Sequence, residues 1–119
     1  MIRYYLFFFL LNTTCLFAQD FIYHMEPPNW WVDMRSNEFQ LMIHGEKVGE
    51  CEVTIQNEDV KILKTNRLSN PNYMVLDLEI LRSNKAFDFV LTFSKDGVVY
   101  ENYTYKLFKK STAKRETFN

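Results

Sequence analysis

Glycine and proline are scarce in this chain, which has only three of each among 119 residues. Loops that cradle a phosphate group depend on glycine, because their backbone must approach the ligand closely and adopt positive φ angles. The sequence contains no glycine-rich phosphate loop and no G-x-S-x-G motif. It therefore argues against phosphate-loop and serine-hydrolase chemistry.

Cysteine is also rare, and its distribution depends on the first 18 residues. Arg3 is followed by an apolar run over residues 4–11 and by Ala18, a small residue suited to cleavage. Residues 1–18 are therefore predicted to be a signal peptide, with an uncleaved anchor as the alternative. This predicts an exported protein, periplasmic or extracellular. Cleavage leaves Cys51 alone, so an intramolecular disulfide is excluded, and we expect this thiol to be a small core residue.

An excess of positive charge is absent too. The whole chain has a net charge of −1, and loss of the signal peptide removes one arginine and no acid, which gives −2. This balance is not typical of a nucleic-acid-binding protein, so nucleic acid is not an expected partner. The remaining length suits one domain, whereas a (β/α)8 barrel needs about 250 residues.

Long runs of helical periodicity are missing after residue 20. Apolar residues instead alternate with polar ones in short stretches bounded by turn residues, as in an all-β protein. Asp96-Gly97 predicts a tight hairpin between the last two strands. We predict an immunoglobulin-like β-sandwich of about seven antiparallel strands, at 21–25 continued by 30–32, 39–44, 51–55, 60–68, 74–80, 87–93 and 98–107.

The most informative stretch is Glu26-Pro27-Pro28-Asn29-Trp30-Trp31-Val32, which contains both tryptophans. Two prolines in succession remove two backbone donors, so this segment is extended and can pair only at the edge of a sheet. In an extended chain the two indoles point to opposite faces, so one can fill the core while the other faces outward.

Together with Asn70-Pro71-Asn72-Tyr73, Gly45, Gly49 and the tyrosine-rich last strand, this stretch resembles the N-terminal immunoglobulin-like domain of bacterial cyclomaltodextrinases and neopullulanase-type enzymes. The resemblance covers residues 22–108. After the predicted signal peptide at 1–18, it implies an immunoglobulin-like domain at 19–108, and the polar residues 109–119 are then expected to be a linker toward a catalytic barrel. A native disordered tail is the alternative for the linker.

The resemblance also implies a parent glycoside hydrolase that acts on α-1,4-glucans through carboxylates of its (β/α)8 barrel. No catalytic residue can be placed on this chain. Its acids form local pairs on polar strand faces, and His24 and His44 have no metal-ligand spacing, so neither a metal nor another cofactor is predicted. The expected partners are the barrel, a second copy of the chain and an α-glucan.

Five residues are predicted to make the interface or carbohydrate contact: Tyr23, Pro27, Pro28, Trp30 and Trp31. In the first interpretation, an outward tryptophan packs on the barrel or on another subunit. In the second, the domain is a free-standing module whose aromatic rings stack on sugar. Adjacent residues of a strand point apart, which favours the interface. A third interpretation places both tryptophans in the core.

Overall fold

The computed structural model describes residues 21–110 as two facing β-sheets with no helix longer than one turn. The predicted signal peptide and residues 111–119 of the predicted linker lie outside the described residues. Nowhere in residues 21–110 is there a helix with the length and hydropathy needed to cross a membrane. The eight strands are β1 (Ile22–Glu26), β2 (Trp30–Trp31), β3 (Glu38–Gly45), β4 (Glu52–Ile55), β5 (Val60–Arg67), β6 (Tyr73–Ile80), β7 (Phe87–Lys95) and β8 (Val98–Phe108).

One sheet has the order β1-β3-β6-β5 and the other the order β2-β8-β7-β4. This is the arrangement of an immunoglobulin-like sandwich, so the predicted fold is confirmed. The predicted first strand is divided, because β1 pairs with β3 in one sheet and β2 pairs with β8 in the other. The β2–β8 pair is parallel, whereas the other pairs are antiparallel.

The core lies between the sheets, where the alternation of each strand directs its apolar side chains inward. Within residues 21–110 no polar or charged residue is buried, although the buried polar atoms include the Tyr105 hydroxyl and the Trp30 indole nitrogen. Cys51 is 1% exposed, and burial raises the pKa of its thiol, in agreement with the predicted core role. The residues buried most completely are Leu41, Ile43, Val48, Met74, Leu76, Leu78, Leu91, Phe93 and Tyr105.

Two glycines have a defined structural role. Gly97 has a φ of 79° and Asp96 a φ of 52°, so the predicted Asp-Gly hairpin turn is confirmed. A Cβ atom on Gly45 would lie 2.6 Å from the carbonyl oxygen of Phe21, which accepts a hydrogen bond from the Glu46 amide. Gly45 therefore permits the close approach of the chain at the start of β1 to the end of β3.

Candidate functional site

The proline segment carries the chain from one sheet to the other. Glu26 ends β1 and Trp30 begins β2, so Pro27 and Pro28 lie in the crossing between the two sheets. Both short strands are at sheet edges, as the loss of two backbone donors requires. The Pro27 carbonyl oxygen accepts a hydrogen bond of 2.8 Å from the Tyr105 hydroxyl. The crossing is therefore bound to the second half of β8.

Trp30 faces the core. It pairs with buried Leu107 in the β2–β8 ladder, and its ring stacks on Phe39 with centroids 5.5 Å apart and an interplanar angle of 10°. Phe39 in turn stacks on Tyr105 at 6.0 Å, so this row of rings links β2 to both sheets. The indole Nε1 of Trp30 is buried and has no hydrogen-bond partner within residues 21–110.

Trp31 lies on the outer face of the same sheet. Its ladder partner is Phe108, whose side chain is 45% exposed, and cross-strand partners share a sheet face. Trp31 is itself half-buried and does not belong to the hydrophobic core. The two tryptophans therefore divide as predicted, with one directed inward and the other outward, although their rings remain 5.7 Å apart.

The outward tryptophan stands where β8 ends. The Val32 amide donates to the Phe108 carbonyl oxygen at 2.8 Å, and the Lys110 amide donates to Asp33 Oδ1 at 2.7 Å. We call Trp31, Asp33, Phe108 and Lys110 the exit corner. These bonds hold the first two residues after β8, Lys109 and Lys110, against the domain beside two outward aromatic rings.

Tyr23 lies elsewhere. It is 52% exposed on the outer side of the β1–β3 pair, where its hydroxyl donates to Glu46 Oε2 at 2.9 Å and its ring meets His44 edge-on at 5.2 Å. The hydrogen bond raises the pKa of the Tyr23 phenol. Tyr23 contacts His44, whereas Trp30 contacts Phe39. These two residues of β3 are five positions apart, which is about 17 Å at 3.4 Å per residue. The predicted site residues therefore do not form one continuous surface.

A half-open pocket of about 250 Å³ occupies the end of the sandwich near the start of β1. Phe21 and Tyr100 line it with centroids 5.8 Å apart, and Lys95 Nζ lies 2.6 Å from Glu50 Oε1 at its rim. The hydrogen bond from the ammonium group lowers the pKa of Glu50 and raises that of Lys95. The remaining lining residues are Glu46, Lys47 and Cys51.

The family model for the N-terminal domain of cyclomaltodextrinase matches residues 24–111 of the chain. The chain belongs to this family. The match covers the sandwich from β1 through the exit corner, so the cyclomaltodextrinase N-terminal domain and the described fold coincide almost completely. The resemblance noted from Glu26-Pro27-Pro28-Asn29-Trp30-Trp31-Val32 is confirmed.

The acidic side chains of this cyclomaltodextrinase N-terminal domain make local contacts. Asp77 accepts a hydrogen bond of 2.9 Å from Gln40, and Glu50 pairs with Lys95. Within residues 21–110 no group of three His, Cys, Asp or Glu side chains is arranged to hold a metal ion.

Sequence reasoning missed two groupings that depend on strand register. His24 and His44 are direct partners across β1 and β3, and the His44 ring stacks on Tyr73 at 4.4 Å. Phe21 and Tyr100, which line the end pocket, are far apart in sequence. No local signal could have identified either pair, because each requires knowledge of which strands are neighbours.

Proposed function

We propose that this chain is a noncatalytic accessory domain of an exported, cyclomaltodextrinase-like α-glucan hydrolase. Its role is to pack against the catalytic (β/α)8 barrel or a second subunit. The family supports the association with such an enzyme. Export rests on the predicted signal peptide at residues 1–18.

The exit corner is the observation that carries this proposal. Trp31 and Phe108 are side by side on an outer face, and Asp33 holds the Lys110 amide next to them. A following domain that continues from Lys110 would meet these rings first. Aromatic side chains bury about 150–250 Å² each and are common interface anchors, so this corner suits a docking surface for the barrel.

The first experiment is to read the gene beyond the codon for Asn119. An open frame that continues into strand-helix repeats would provide the longer enzyme for the tests below. A stop codon followed by unrelated sequence would contradict the accessory role and would favour a free-standing module.

In the longer enzyme, Trp31→Ala should destabilise the sandwich more than it does in the 119-residue chain, because only the enzyme buries the indole against a second domain. We expect an additional loss of about 2 kcal/mol, the size of an interface hot spot. Calorimetric unfolding of both proteins measures this difference. Tyr23→Ala is the control, since it removes a half-exposed ring from the other sheet. Equal losses in the enzyme and the chain would contradict docking at Trp31.

Titration calorimetry of residues 19–119, the chain left after cleavage of the predicted signal peptide, with maltoheptaose and β-cyclodextrin tests the carbohydrate-binding alternative. The accessory role predicts no saturable heat at micromolar ligand. Saturation that disappears in Trp31→Ala would instead identify the exit corner as a sugar platform, since Trp31 and Phe108 are adjacent on one face.

A further inference from the structure

The chain contains only two histidines, and the fold places them side by side. His24 of β1 and His44 of β3 are direct partners in the antiparallel ladder, and both lie on the outer face of the sheet. The Cβ atoms of such partners are about 4.5–5.5 Å apart. Two nitrogens that bind one zinc ion in tetrahedral geometry, each at about 2.0–2.1 Å, are about 3.3 Å apart. Two imidazoles at this spacing can therefore bind a single ion.

The ring of His24 is oriented by a carboxylate. Its Nε2 atom lies 2.6 Å from Glu26 Oε2, two residues further along the same face of β1. Nε2 donates its hydrogen to Glu26, so in the neutral ring Nδ1 is the nitrogen with a free lone pair. A histidine that binds a metal ion through one nitrogen commonly donates its other N–H to a carboxylate in this way. The side chain of His24 is 56% exposed, so an ion can reach it.

The ring of His44 is held by aromatic neighbours instead. It stacks on Tyr73 with an interplanar angle of 4°, and Tyr23 meets it edge-on. Neither nitrogen of His44 has a hydrogen-bond partner within residues 21–110. One nitrogen of the neutral ring is therefore available as a ligand. The stack also restricts the ring before an ion arrives, which lowers the entropy cost of binding.

The charge of this sheet face favours a cation. β1, β3 and β6 contain four acids and neither lysine nor arginine. The acids are Glu26, Glu38, Asp77 and Glu79. Lys61 and Lys64 of β5 are the ladder partners of Glu79 and Asp77, toward the other end of the sheet from His44. The nearest lysine in sequence, Lys47, lines the end pocket. The two histidines thus lie on an acid-rich surface, which attracts a divalent cation.

We propose that His24 and His44 bind one divalent transition ion, such as zinc or nickel, and that Glu26 is the positioning residue for His24. Imidazole nitrogen suits these ions, whereas magnesium and calcium prefer oxygen ligands. Since no three potential ligands converge within residues 21–110, water fills the remaining positions of the ion. The bound ion joins β1 to β3 and stabilises this edge of the sandwich. The site lies on the other sheet from the exit corner, so it is independent of the contact with the barrel.

Calorimetric titration of untagged residues 19–119 with zinc chloride tests the proposal. We expect one ion per chain, with saturation between about 1 μM and about 1 mM zinc, and no saturable heat with magnesium chloride. His24→Asn and His44→Phe should each weaken zinc binding by at least about tenfold, because each leaves a single imidazole. His44→Phe keeps an aromatic ring to stack on Tyr73. An unchanged affinity in either variant, no zinc binding by the wild type, or equal binding of magnesium would overturn the proposal.

The role of Glu26 is tested by a matched pair of variants. Glu26→Gln should weaken zinc binding about tenfold, the usual effect of losing a carboxylate that orients a ligand. Glu38→Gln removes the same charge from the same sheet face, six positions from His44 along β3. That is about 20 Å, beyond the screening length of about 8 Å at physiological salt, so its affinity should stay within about twofold of the wild type. Equal losses in the two variants would contradict the orienting role of Glu26.

Urea unfolding gives a second readout. The midpoint of the wild type should rise with zinc concentration, because the ion binds the folded chain, in which the two histidines are adjacent. The midpoint of His44→Phe should not respond to zinc, and its unfolding transition without zinc shows whether this variant is folded. A wild-type midpoint that zinc leaves unchanged, or the same rise in both proteins, would contradict a site that joins β1 to β3.

Discussion

Replacing Tyr105 by phenylalanine isolates the hydrogen bond that fastens the crossing segment to β8. The Tyr105 ring is fully buried, stacks on Phe39 and contacts Phe89 with centroids 5.4 Å apart. These contacts survive in Tyr105→Phe, and only the hydroxyl is lost. The Pro27 carbonyl oxygen, which accepts from that hydroxyl at 2.8 Å, then loses its partner.

The expected cost follows from the position of the bond. A typical hydrogen bond contributes about 0.5–1.5 kcal/mol, and a buried acceptor left without a partner costs about 1–3 kcal/mol. Pro27 is only partly buried, so water can reach part of it and the lower values apply. We expect Tyr105→Phe to lower the free energy of unfolding by about 1–2 kcal/mol.

Urea unfolding followed by tryptophan fluorescence measures this loss. Tyr103→Phe is a matched control, because Tyr103 packs against the core from the same face of β8 and its hydroxyl has no hydrogen bond within the described residues. Its free energy of unfolding should change by less than about 0.5 kcal/mol. If the two variants lost the same amount, the Tyr105 hydroxyl would not be holding the crossing segment.

Three further predictions concern other features of the sandwich. Trp30→Ala should lower the free energy of unfolding by about 3 kcal/mol, because it removes the stack on Phe39. Trp30→Phe should lower it by less than about 1 kcal/mol, because the Nε1 hydrogen that it removes is buried without a partner. Equal urea midpoints for the two variants would contradict this. Gly97→Ala should lower the free energy of unfolding by about 1 kcal/mol through its positive φ alone, since no atom lies within 4 Å of the added Cβ. Thermal unfolding measures this loss, and an unchanged melting temperature would contradict the prediction. Glu50→Gln should remove stability at neutral pH but not in acid: the bond from Lys95 lowers the pKa of Glu50, so its contribution is present above the ordinary carboxyl pKa and is lost as the pH falls through the lowered value. The contribution of the Glu50–Lys95 pair to stability should likewise be lost in strong base, as the pH rises through the raised pKa of Lys95. Melting temperatures of the wild type and of Glu50→Gln, measured over a pH series, test this. A difference between the two proteins that does not change with pH would contradict the pairing.

The strands and their inward faces could be predicted because each depends on local alternation. Leu41 and Ile43, or Leu76 and Leu78, recur every second residue between turn signals, and the structure buries them together. The Asp96-Gly97 turn was predictable for the same reason, since the positive φ angles depend only on the two residues of the turn. The edge position of the proline segment also followed from chemistry, because a residue without an amide hydrogen cannot donate in a central strand.

The division of the first strand could not be predicted. Pro27 and Pro28 lack amide hydrogens, and this fits a continuous edge strand as well as a crossing between two sheets. Only the positions of β3 and β8 distinguish the two arrangements. Tyr23 was grouped with the tryptophans for this reason, although it lies at the other end of the other sheet. The pairing of His24 with His44 was hidden in the same way, because only the register of β1 and β3 brings the two residues together.

The crossing between sheets also decides how the domain bears tension. Phe21 lies beside Tyr100 near the start of β8, and Phe108 ends that strand, so the chain enters and leaves about 27 Å apart at 3.4 Å per residue. A force that separates these two points runs along the strands. It pulls β1 against β3, and through the proline crossing it pulls β2 against its parallel neighbour β8, so both pairs of strands resist the force. The entering end is therefore held by β3 of one sheet and the leaving end by β2 and β7 of the other, so tension along β8 is shared between the two sheets.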